Sequence, residues 1–172
     1  NLYQFEKADN IVKFATDNNM LVRGHTLIWH ESIPKWLTQY NDKPVSKRIL
    51  LKRMEEHISV VVDRYKDSIY CWDVVNEVID DDRKKYLRDS LWKNVLGKDY
   101  IENAFNIAHE ANPNAKLFLN EYNMCIDYKC EKIVRLLNRL IKRGVPIHGV
   151  GIQGHYNINF PSAEAVEAGI VA

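Results

Sequence analysis

The residues Trp72-Asp73-Val74-Val75-Asn76-Glu77 close an apolar run with an amide and a carboxylate. A carboxyl group in that place, beside an amide able to hydrogen-bond a hydroxyl, is equipped for general acid/base work. Three more short apolar runs end in a comparable way. Residues 20–28 carry His25 and lead into Trp29-His30. Residues 115–119 lead into Asn120-Glu121-Tyr122-Asn123, and residues 147–152 into Gln153-Gly154-His155-Tyr156. A single Asn-Glu pair is most simply a solvated strand end. Four polar or aromatic tips in succession imply one shared site along one edge of a sheet.

Such a site requires parallel strands, and parallel strands require crossover helices. The helical patterns lie where they are needed. Phe5, Ala8, Val12 and Ala15 precede the first run. Leu51, Met54, Ile58, Val62 and Tyr65 follow it, after Pro44 and Ser46 as a start signal. Ile101, Ala104, Phe105 and Ala108 come next, with Asp99 and Glu102 spaced as a capping box. Ile133, Leu136, Leu137, Leu140 and Ile141 form the last clear stripe, closed by Gly144 and Pro146. Regular alternation predicts an α/β fold, a parallel sheet with covering helices. The pattern opens on a helix and closes, from Ser162 onward, on what reads as the start of another. An eight-stranded barrel takes about 250 residues, so residues 1–172 are expected to be the central portion of one barrel, incomplete at both ends.

The bulk properties exclude several classes. In 172 residues, 46% are apolar and the net charge is +1, with no basic stripe for nucleic acid and no apolar run long enough for a membrane span. No CxxC or HExxH spacing occurs, so neither a metal nor a cofactor is expected. Cys71 reads as a core filler, while Cys125 and Cys130 could pair if the chain between them doubled back. Residues 80–85 read as a solvated charged turn; calcium there is opposed by Arg83, Lys84 and Lys85. Gly149-Val150-Gly151-Ile152-Gln153-Gly154 is a literal GxGxxG. A dinucleotide site would need a helix opening at its third glycine and an acid about 20 residues on, and a loop sequence follows instead.

Glycosidic bonds are usually cleaved between two carboxyl groups. Glu77 fits the acid of such a pair, because a carboxyl set among apolar rings can keep its proton. Asn76, His25, Gln153 and His155 have the short polar reach that sugar hydroxyls need. Trp29, Trp36, Tyr122 and Tyr156 offer flat faces to pyranose rings. Trp72 and Trp92 sit inside element patterns and read as core, as do His57 and His109 within helices; His30 is open to either reading.

Together, residues 23–30 (Arg-Gly-His-Thr-Leu-Ile-Trp-His) with Pro34-x-Trp36, Trp72 to Glu77, Asn120-Glu121-Tyr122-Asn123 and Gly151 to Tyr156 resemble glycoside hydrolase family 10, over essentially the whole chain. The resemblance implies the third to sixth strand units of a (β/α)8 TIM barrel and retaining endo-hydrolysis of the β-1,4-xylosidic linkages of xylan and xylo-oligosaccharides. It implies Glu77 as acid/base, Asn76 on the 2-hydroxyl, His25 and Trp29 on the glycone side, Gln153 and His155 around the nucleophile, and Tyr122 on the leaving-group side. Glu121 stands where the family usually has Asp and is not read as catalytic. The family's nucleophile motif does not occur in these residues, so residues 1–172 alone are not expected to hydrolyse xylan. A monomeric, secreted parent enzyme without cofactor is implied by the resemblance alone. A non-catalytic carbohydrate-binding fragment and a retaining β-1,4-endoglucanase are the competing readings.

Overall fold

A computed structural model describes residues 3–40 and 43–172. The elements run α1 (Glu6–Asp17), β1 (Val22–Ile28), α2 (Lys35–Thr38), β2 (Gln39–Tyr40), β3 (Lys43–Pro44), α3 (Lys47–Arg64) and β4 (Ile69–Asn76). They continue α4 (Leu91–Leu96), α5 (Tyr100–Ala111), β5 (Lys116–Tyr122), α6 (Asp127–Lys142), β6 (Gly149–Gln153) and α7 (Ala163–Val171). β1, β4, β5 and β6 pair side by side in that order, all parallel, so their C-terminal ends share one edge. β2 and β3 form a separate antiparallel pair.

Burial explains why these segments take these forms. Along β4 only Tyr70 is exposed, as a strand covered on both faces requires. Trp72 and Val74 join Leu117 and Leu119 in a core closed by Leu50, Met54, Ile58 and Val62 of α3 and Ile101, Ala104, Phe105 and Ala108 of α5. Ser46 starts α3 by accepting from the Ile49 N–H. On α6, Ile133, Leu136 and Leu140 are buried, but Ile141, expected in the same stripe, is 60% exposed.

One sequence expectation fails, one open question closes and one helix goes unforeseen, each for a local reason. Asp99 does not cap α5, because its backbone is already helical (φ −77°, ψ −4°) and its side chain makes no cap bond. Its expected partner Glu102 pairs instead with Arg143 at 2.7 Å. Cys125 and Cys130 are free thiols: α6 begins at Asp127, so the chain runs forward along a helix and does not double back. Helix α4, whose Ser90 accepts from the Lys93 N–H, was not foreseen because its six residues are too few to show a period.

The glycines of β1 and β6 are there for close approach. A Cβ on Gly151 would stand 2.2 Å from Asn120 Oδ1, and one on Gly149 2.6 Å from the Phe118 ring. Helix α7 starts at Ala163, nine residues past Gly154, so the GxGxxG does not open a helix. Packing between strands, not a pyrophosphate, accounts for it. Gly24 lies flat on the Trp72 ring, where a Cβ would fall 2.1 Å from the indole. Trp72 is 4% exposed and has no room to retreat. Gly24→Ala should therefore destabilise the fold by about 1–3 kcal/mol, read as a lowered midpoint in urea unfolding; an unchanged midpoint would show that the indole gives way.

Candidate active site

At the end of β4 the chain leaves the sheet through Glu77, whose φ of 57° puts a non-glycine residue in the left-handed region. The strain is held from both sides, since the Glu77 N–H donates to Asn120 O (2.9 Å) and Arg88 Nε donates to Glu77 O (2.9 Å). The half-buried carboxyl is fixed just as firmly. Trp29 Nε1 donates to one oxygen at 2.9 Å and Gln153 Nε2 to the other at 3.2 Å. Donors from β6 and from the residue after β1 thus orient a carboxylate that lies at the tip of β4.

Asn76 lies beneath it, 3% exposed. Its Oδ1 accepts from Asn120 Nδ2 (2.8 Å) and Gln153 Nε2 (3.2 Å), which leaves the Asn76 amide nitrogen with no partner. An acceptor saturated by neighbours and a free N–H₂ suit an amide that donates to a ligand oxygen. Gln153 Oε1 in turn pairs with His155 Nε2 at 3.0 Å. Among the described residues the His155 ring therefore braces Gln153 and meets no carboxylate.

On the other side, Asp73 anchors the cleft wall. Its Oδ1 receives Arg23 (2.5 and 3.0 Å) and its Oδ2 pairs with His25 Nδ1 (2.9 Å), while the Arg23 guanidinium lies 4.6 Å over the Phe118 ring. A carboxylate only accepts, so Nδ1 carries the proton and Nε2 of a neutral His25 is left as an acceptor. Trp92, read as core, is buried but also donates to Trp29 O at 2.7 Å, holding the backbone of the residue that holds Glu77. A cavity of about 320 Å³ lies beside these groups, lined by His25, Trp29, Pro34, Trp36 and Trp92. His57 also reaches it, its ring stacked 6.1 Å from Tyr3. The larger cavity, about 1050 Å³ between α6 and α7, is a separate one, lined by Met124, Cys130, Arg135 and Ala168 among others.

The turn at residues 80–85 is not wholly solvated as expected. Asp81 binds Lys129 Nζ (2.7 Å), Arg88 (3.0 Å) and the Tyr122 hydroxyl. Lys129 is a fully buried helix lysine, 3.3 Å from Glu121 Oε1 and 3.3 Å above the Tyr122 ring. Glu121 is fully buried too, and its oxygens accept from the Ile79 and Tyr122 N–H groups. Burial pushes its carboxyl above the usual range, with Lys129 pulling against it. Tyr122 is thus pinned at its hydroxyl and covered on one face. Sequence reasoning missed Asp73, Arg88, Asp81 and Lys129. The visible signals were charges within apolar patterns: Asp73 inside a strand, and Lys129 beside the buried Cys130. Among the described residues no three His, Cys, Asp or Glu side chains gather as metal ligands, and no helix is long and apolar enough to cross a membrane.

The sequence model of glycosyl hydrolase family 10 matches residues 1–171. An endo-1,4-beta-xylanase B of Paenibacillus barcinonensis is 48% identical over 98% of this chain and 51% of its own length. Its crystal structure, complexed with a conduramine derivative, superposes with a TM-score of 0.96 over the same shares. An endo-1,4-beta-xylanase of Geobacillus stearothermophilus is 47% identical over 87% of this chain and 46% of its length. A mutant of the intracellular xylanase of Thermoanaerobacterium saccharolyticum, solved with xylotriose, is 42% identical with a TM-score of 0.93, covering 98% of this chain and 54% of that one. The chain spans about half the length of the curated relatives it matches.

The charge cluster makes an acid-stability prediction. Burial raises the Asp81 carboxyl, but the bonds from Lys129, Tyr122 and Arg88 outweigh it and bring it from 3.8 down to about 2. Because the folded value is the lower one, the stability Asp81 contributes is complete above 3.8 and is lost as pH falls through about 2. Asp81→Asn should flatten that part of the stability curve, measured as urea midpoints across the acid range. Parallel curves for the two proteins would mean that Asp81 does not carry these pairings in solution.

Proposed function

The chain belongs to glycosyl hydrolase family 10, and on that premise we propose that it forms the acid/base half of the cleft of a retaining endo-1,4-β-xylanase. The observation that carries the proposal is the carboxyl group of Glu77, set by Trp29 and Gln153 at the shared strand edge directly above a buried amide whose N–H₂ is unspent. The relatives named as xylanases, and the one solved with xylotriose, support β-1,4-xylan as the substrate class.

Glu77 is the general acid that protonates the departing glycosidic oxygen. A second carboxylate attacks the anomeric carbon from the opposite face, forming a glycosyl ester. Glu77, now ionised, then takes a proton from the water that hydrolyses the ester. Glu121 is the carboxyl next to Glu77 along this strand edge, and it is shut away from solvent against Lys129. We assign the nucleophile to a residue outside these 172. Asn76 donates its free N–H₂ to a sugar hydroxyl in the reacting subsite, which orients the ring beside Glu77. His25, fixed by Asp73, presents Nε2 to the glycone, and Trp29 and Trp36 line that side. Tyr122 faces the leaving group with the ring face that Lys129 does not cover.

In the full-length protein, Glu77→Gln should slow hydrolysis of unactivated xylan by about 10²–10⁴-fold. An aryl xyloside with a strongly acidic leaving group needs little proton donation, so its glycosylation step should suffer far less. Equal losses on both substrates would remove Glu77 from the acid role. Retention makes a second check. Proton NMR of the first product should show the β-anomer, with the partner carboxyl about 5–5.5 Å from Glu77; an initial α-anomer would refute the double displacement.

A further inference from the structure

We propose that Lys129 is a positioning residue for Glu77, acting through Asp81 and Arg88 from the first turns of α6. The inference rests on the acid/base role just assigned to Glu77 and adds a device that holds it. Glu77 opens a loop that returns to the sheet edge at Arg88: Arg88 N donates to Val78 O, Asp80 N donates to Tyr86 O, and Ile79 bridges Leu87. A two-stranded return of this kind is marginal by itself, yet it must hold Glu77 in a strained left-handed backbone. The grip comes from α6. Tyr128 donates to Asp81 O, Lys132 to Asp80 O and Asp82 O, and Lys129 to Asp81 Oδ1.

Of these three side chains only Lys129 is fully buried, and its ammonium is shared by Asp81, Glu121 and the Tyr122 ring. The surrounding groups are joined through it. Asp81 passes the constraint to the Arg88 guanidinium, whose Nε holds the Glu77 carbonyl. Glu121 holds the Ile79 N–H on the same loop. A buried cation between two carboxylates has few alternative positions, because any move strands a charge in the interior. The loop bearing the acid is thereby referenced to α6 and β5, and the placement of Glu77 depends on a side chain that never touches substrate.

The test uses the full-length protein with Lys129→Met, which keeps the length of the chain and removes the charge, and with Asp81→Asn, which breaks the link at its partly exposed end. Amide exchange in residues 77–88 should quicken about tenfold or more in either variant while β4 keeps its protection. Turnover of xylo-oligosaccharides should fall about 10- to 100-fold, the cost of a misplaced catalytic group, with turnover of an activated aryl xyloside nearly unchanged. A merely structural role would scale both substrates together. That outcome, or unchanged exchange in a folded variant, overturns the proposal. Should Lys129→Met not fold, Asp81→Asn decides alone. Hydrolysis of xylan by the unsubstituted protein tests the underlying reading separately; were it absent, that reading would fall and the exchange measurement would still decide whether Lys129 holds the loop.

Discussion

Everything at the strand edge depends on the backbone of Glu77 staying at φ 57°. For a residue with a Cβ that conformation costs about 1–2 kcal/mol, and glycine, which would adopt it freely, has no carboxyl to offer. The chain keeps the acid and holds the strain in place instead. The amide side is fixed by Asn120 O, an extension of the β4–β5 ladder, and the carbonyl side by Arg88. Strain of this sort persists only where the surroundings over-determine it. Here a parallel sheet supplies one restraint and a charge cluster anchored by Lys129 of α6 the other.

The same economy runs through the side chains. Asn120, Asn76, Gln153 and His155 form one chain of hydrogen bonds across β5, β4 and the end of β6, and Gln153 within it donates to Glu77. Register makes this possible: Asn76 stands opposite Asn120, and Tyr122 opposite Gln153. Gly151 leaves room for the Asn120 amide. A one-residue slip would turn every member of the relay to the other face. Packing of the apolar face against α3 and α5 therefore sets the geometry of the polar tips.

This division explains what could be read in the sequence. The four strands, the major helices and the tips bearing His25, Trp29, Asn76, Glu77, Tyr122, Gln153 and His155 were legible because period and position carry them. Asp73, Arg88 and Lys129 were not. Each is a charge whose purpose depends on a partner that only the fold brings within reach, Arg23 with His25, the Glu77 carbonyl, and Asp81 with Glu121. A charged residue inside an apolar pattern is a local inconsistency, and such inconsistencies gather where function is built. The turn at 80–85 misled for a related reason: its composition is that of a solvated loop, and only the fold places Lys129 beneath it.

Glu77 and Glu121 show how far environment alone separates identical side chains. They end adjacent parallel strands at the same edge of the sheet. The oxygens of Glu77 receive an indole N–H and an amide N–H, both neutral donors, and the group remains half-buried beside the cleft. Glu121 has a cation at 3.3 Å, two backbone N–H groups and no exposed surface. A carboxyl in the second setting is committed to an internal charge balance, because releasing it would leave Lys129 poorly compensated in the interior. A carboxyl in the first is oriented without being neutralised, and its position is set by the indole and the amide alone. Orientation by neutral donors on one strand end and charge compensation on the next thus separate the role proposed for Glu77 from the scaffold that supports it.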